Sequence, residues 1–135
     1  ERIGDYIKNM VDLTEMHPQK LTSDKNEVVL HEIENTLKKM FKSTPECIEN
    51  GDETLALEIY SGTREIGLTC DKHIKEILSK NDPDLDTSSA ALLALYFRYL
   101  KRINAHLRNI ISSIINPYDR IGFRPKSSLS DANDN

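Results

Sequence analysis

Tryptophan is missing from this 135-residue chain, and cysteine occurs only at Cys47 and Cys70. With no C-x-x-C spacing and no neighbouring histidine pair, neither a zinc site nor a disulfide framework is supported. Two small thiols on or near helix core faces, in a reducing compartment, is the expected arrangement. Long apolar runs are also lacking. No stretch approaches the roughly eighteen residues a membrane helix needs, and the N-terminus lacks the charged-then-apolar plan of a signal peptide, so the chain as given reads as soluble. Positive charge is short too: 18 basic against 22 acidic residues give a net charge of -4 and a pI of about 5.6. A phosphate-backbone binder would carry a basic stripe, so nucleic acid is excluded as a partner. Finally, no window shows the strict alternation of a half-buried strand.

What is there is helical spacing from end to end. The length suits one domain with one modest core. A first helix, roughly 1 to 16, places Ile3, Ile7 and Met10 on one stripe and stops at His17-Pro18; no N-cap precedes Glu1, as though the helix were entered midway. Ser23 or Asp24 can cap a second helix with the stripe Leu30, Ile33, Leu37, Met40 and Phe41. At Pro45 that helix either bends or restarts with Thr44 as a new N-cap, and spacing leaves both open. Asn50-Gly51 tolerates a left-handed helix end, and Asp52 starts a third helix to about Lys80, with Ala56, Ile59, Thr63, Ile66, Cys70, His73 and Ile77 on one seam. Gly62 and Gly67 weaken it, which points to close helix approach or to lost side chains. Asn81-Asp82-Pro83 ends it. The last helix, about 87 to 116, carries Leu93, Tyr96, Leu100, Ile103, Leu107, Ile110 and Ile114 and stops at Asn116-Pro117. The expected fold is all-α, an up-and-down antiparallel helix bundle of three long helices and one shorter N-terminal helix.

The chain also repeats itself. "ERIGDYIKNMVDL" at Glu1 returns 100 residues later as "KRINAHLRNIISS", with Arg2, Ile3 and Asn9 answered by Arg102, Ile103 and Asn109. The core stripes align as well: Ile3 with Ile103, Ile7 with Leu107, Met10 with Ile110. Such an offset suits a three-helix unit repeated in tandem.

"RYLKRINAHLRNI", from Arg98 to Ile110, resembles the last-helix signature of PhoU domains, and "ERIGDYIKNM" resembles the same signature in a preceding repeat. The ending "NPYDRIGFRPK" is similar to the C-terminus of bacterial sodium/phosphate cotransporters, whose membrane half is followed by a cytoplasmic PhoU-like domain. The resemblance implies residues 1–16 as the last helix of a preceding repeat, 23–116 as a three-helix unit, 117–126 as a docked basic and aromatic tail, and 127–135 as disordered. It further implies a non-catalytic regulatory or structural domain on the cytoplasmic side of the inner membrane, working with a transporter domain of the same chain or with a transporter or sensor partner, and open to homo-oligomerisation. A free-standing PhoU-type regulator of phosphate uptake is the alternative.

In several members of that family an E-x-x-x-D motif binds clustered metal ions. Carboxylates four apart share a helix face and supply hard oxygen ligands. Glu1 and Asp5 match the motif, but their counterparts are Lys101 and Ala105; in the third helix, where carboxylates are common in the family, stand Thr63 and Gly67. Two acids at a chain end cannot offset the dehydration of a multivalent ion, so neither a metal site nor a cofactor is expected. Lys101 suggests instead an ammonium standing in the place of a metal and paired with acids of a neighbouring helix. His17, His31, His73 and His106 share no ligand spacing; His106, at the family's D-H position, is the one to watch. Asp71-Lys72-His73 has no nucleophile or oxyanion-forming loop beside it, so no catalytic residue is assigned. Tyr96, Phe97 and Tyr99 read as core packing. Arg120, Arg124 and Lys126 around Ile121 and Phe123 read as a tail docked on the bundle, with Phe123 between helices.

Overall fold

The computed structural model describes residues 1–17, 24–79 and 85–116, and those residues form four helices: α1 Arg2–Met16, α2 Asp24–Asn50, α3 Glu53–Leu78 and α4 Thr87–Ile115. Strands are absent among them. Ser23, the side chain of Asp24 and with them the expected caps, the break at Asn81-Asp82-Pro83, and the tail 117–135 with Phe123 lie outside what is described.

Local chemistry explains the boundaries. α1 opens at Glu1 with no side-chain cap and ends at His17, whose N–H reaches the Leu13 carbonyl. Gly51, at φ +61°, closes α2: its N–H bonds the Ile48 carbonyl, and the Asp52 N–H bonds the Cys47 carbonyl at 3.1 Å. These two bonds make a Schellman end, which requires a left-handed residue and hence favours glycine. Asp52 then turns round to cap α3, its carboxylate accepting from Leu55 N–H at 2.9 Å. Asp86 does the same for α4 through the N–H groups of Ser88 and Ser89, and those hydrogen bonds hold its carboxyl below the usual range.

Pro45 lies inside α2, so the helix continues and does not restart. Thr44 is no N-cap; its hydroxyl donates to the Met40 carbonyl one turn back at 2.7 Å. An interior proline costs about 3 kcal/mol relative to alanine. The turn survives because Thr44 and Cys47 are buried against the rest of the bundle, Cys47 completely.

The third helix follows its expected seam closely: Ala56, Ile59, Thr63, Ile66, Cys70, His73 and Ile77 are all buried. A Cβ at Gly62 would meet the flexible methyl end of Met40 of α2, which can move aside, whereas at Gly67 the nearest atom is Asn104 Nδ2 at 3.9 Å. A close neighbour on another helix is therefore present at the first glycine and not at the second. In α4 the expected stripe is rotated. Ile110 is exposed and Ile111 fully buried, and Phe97, not Tyr96, fills the core beside Leu93, Leu100 and Leu107. α1 departs most from expectation, with Leu13 alone buried and Ile7 52% exposed.

α4 packs most extensively on α3 and also against α1 and α2. Asp71 meets Lys101, Thr63 meets Asn104 and Tyr60 meets Arg108, so α3 and α4 run antiparallel. Asn26 meets His73, and Met40 lies at Gly62, which makes α2 and α3 antiparallel as well. The up-and-down bundle follows. Phe97→Ala is expected to remove about 3–5 kcal/mol of stability in urea unfolding. Gly51→Ala, which places a Cβ in a left-handed turn, should remove about 1–2 kcal/mol.

Candidate functional site

The α3–α4 seam holds a cation of the protein's own. Lys101 Nζ donates to both carboxylate oxygens of Asp71, each at 2.6 Å, in a partly exposed setting. The ammonium thus stands at the position that answers Glu1 in the sequence repeat, paired with an acid of the neighbouring helix. Behind it Cys70 is fully buried, and burial, reinforced by the Asp71 charge, pushes its thiol up to about 12 although Lys101 works the other way. A thiol so held stays protonated and unreactive at neutral pH. Cys47 is likewise pushed up, by burial and by Asp52.

The other motif positions hold no ligands. Thr63 is buried and turns its hydroxyl to the Tyr60 carbonyl at 2.6 Å, while its own carbonyl accepts from Asn104 Nδ2 at 2.7 Å. Glu1 and Asp5 are exposed on the first turn of α1. Tyr6 of α1 lies against Tyr99, Arg102 and His106, whereas Lys101 turns to Asp71 of α3, so the two motif copies have different surroundings. They do not converge. Among the described residues no group of three His, Cys, Asp or Glu side chains could hold a metal ion.

A feature the sequence pattern did not announce is how the repeated helix packs on itself. Tyr6 and His106 occupy equivalent positions in the two copies, and their rings stack at 5.7 Å. Arg102 donates from Nε to the Tyr6 hydroxyl at 3.0 Å, with its guanidinium over the Tyr6 ring. The exchange of tyrosine for histidine between the copies was the signal available in the sequence. Burial first, then Arg102, Arg2 and the terminal amine, hold the His106 pKa below 6.5, and its Nε2 is buried without a hydrogen-bond partner.

The remaining candidates resolve as packing. His73 is buried, stacks on Phe97 at 5.3 Å and places Nδ1 3.3 Å from Asn26 Oδ1, so it ties α3 to the start of α2. His31 is exposed beside Glu27. Tyr96 donates to Glu34 at 2.6 Å, and Tyr99 leans on Tyr6. Arg108 donates to the Tyr60 hydroxyl at 2.6 Å and stacks over that ring. These cation–aromatic contacts contribute about 0.5–2 kcal/mol each.

Two measurements check this account. His106 is held neutral by the fold, so on acidification the unfolded chain takes up a proton first; stability should fall as pH drops through 6.5 and level off below the folded value. The His106→Phe variant should flatten that part of the urea-stability profile. Second, the double variant Gly67→Glu with Lys101→Glu, which sets new acids beside Asp71, should bind Mn²⁺ in calorimetry, while Lys101→Met alone should cost about 0.2–1 kcal/mol. An unchanged, metal-free response of the double variant would remove the interpretation of Lys101 as a resident cation.

Comparison with protein families matches residues 30–114 to the family described as PhoU domain. Comparisons with curated proteins and with solved structures gave no match. The match spans most of α2, all of α3 and nearly all of α4, in an all-helical bundle of the kind that family adopts. This chain therefore belongs to the PhoU-domain family.

Proposed function

We propose that the chain is the cytoplasmic regulatory or structural domain of a sodium-coupled phosphate transporter. Family membership supports a regulatory role in phosphate transport, and the PhoU match is the observation that carries the reading. The narrower assignment draws on "NPYDRIGFRPK" following the last helix, which is similar to the ending of sodium/phosphate cotransporters. No described helix is long and apolar enough to cross a membrane, so in this reading the transport chemistry belongs to another part of the polypeptide. The described bundle offers helix faces and ion pairs, not a nucleophile set beside a base. Its work is then done by contact: it binds a transporter domain and changes that domain's activity or assembly.

The natural reading frame tests this directly. Several apolar stretches of about twenty residues upstream of Glu1 are expected. Deleting residues 1–135 should leave sodium-dependent uptake of radiolabelled phosphate measurable while altering its response to external phosphate. A soluble first repeat ending in α1, with no membrane segment, would make the protein a free-standing PhoU-type regulator instead.

A further inference from the structure

α1 is held differently from the other three helices. The buried cluster that joins α2, α3 and α4 takes no buried side chain from α1, whose Met10 packs only against its edge. The N-terminal half of α1 is fastened instead by a joint of rings and charge. Tyr6 stacks on His106 of α4 with centroids 5.7 Å apart and planes 26° apart, leans on Tyr99 at 6.0 Å, and accepts a hydrogen bond from Arg102 Nε at 3.0 Å. A helix attached in this way can open while the packed core of its neighbours stays closed.

The joint depends on one proton. His106 Nε2 is buried and has no hydrogen-bond partner. A neutral ring tolerates that, but a protonated one would bury a charged N–H with nothing to receive it. Every charge that acts on the ring has the same sign: Arg102 on its own helix, then Arg2 and the terminal amine on α1. No acid offsets them. Among the described residues Arg2, Arg102 and His106 are in no ion pair, and Glu1 and Asp5 are exposed. A protonated ring must therefore find water, and the way to it is for Tyr6 to move off the imidazole. Arg102, which holds the Tyr6 hydroxyl, is then repelled by the new charge as well.

We infer that His106 is a pH-sensitive latch between α1 and α4: the neutral imidazole holds α1 down through Tyr6, and the protonated one releases the first turns of α1 while α2, α3 and α4 remain packed. The exchange of tyrosine for histidine between the two copies of the repeated helix is what places one titrating ring in the joint. The closed joint keeps the histidine below its ordinary 6.5, and the open joint returns it to water. The contribution to closure is complete above 6.5, falls as pH drops through 6.5 and levels off below the closed-state value. The argument rests on the contacts of α1 with α4 and stands whether or not the transporter reading does.

Amide hydrogen exchange, corrected for its intrinsic pH dependence, reads the helices one by one. Between pH 7.5 and 5.0 the protection of α1 should fall by about threefold or more while that of α3 and α4 stays constant. His106→Phe keeps a ring against Tyr6 and takes up no proton, so it should hold the protection of α1 level across the same range. His106→Gln, a second variant that does not titrate, should likewise remove the pH dependence even where it loosens α1 throughout. A chain acetylated at Glu1 should behave as the unmodified one, since Arg2 and Arg102 remain. Equal loss in all helices, no loss in α1, or a loss that persists in both His106 variants would overturn the proposal. So would disappearance of the effect on acetylation, which would assign it to the terminal charge and not to the joint.

Discussion

α4 has to face three helices at once, and the rest of the bundle depends on how it does so. Leu93, Phe97, Leu107 and Ile111, with no measurable exposure, turn it toward the core, while Tyr96, Leu100 and Ile103 line the side shared with α1 and α2. Burying a side chain of this size contributes about 1.5–3 kcal/mol, so a helix with two such sides sets where its neighbours lie. The polar contacts then fix register. Asn104 on the Thr63 carbonyl, Arg108 on Tyr60 and Lys101 on Asp71 bind α3 at three levels along its length.

Seen from α4, its cations divide among its neighbours: Lys101 meets an acid of α3, Arg102 a tyrosine of α1 and Arg108 a tyrosine of α3. A partly exposed ion pair adds little stability, so Lys101 is better understood as neutralising Asp71 than as a clamp. On the other side of α4, the helix packs against its own sequence repeat, with Tyr6 against His106.

Much of the α3 seam was legible because it alternates threes and fours toward a single neighbour, and every residue of it is buried. α4 was read one position off at Tyr96 and Ile110 because a strict heptad spacing tracks one seam, whereas this helix serves two, and a period of 3.6 carries the buried stripe on to Phe97 and Ile111. α1 was read from the spacing of Ile3, Ile7 and Met10 as turning one stripe to the bundle. Its Ile7 has the same type and spacing as Leu107 but no α3 beside it. Spacing also left Pro45 open, since a proline's effect depends on whether the following turn has something to bury.

The linear sequence by itself determined the helices, their caps at Asp52 and Asp86 and the Gly51 reversal, because each follows from chemistry within a few residues. Tertiary structure alone decided which acid Lys101 would meet and that Tyr6 would stack on its counterpart His106. Those outcomes rest on pairings between helices distant in the chain. A helical period records which residues share a face, but not what that face is set against.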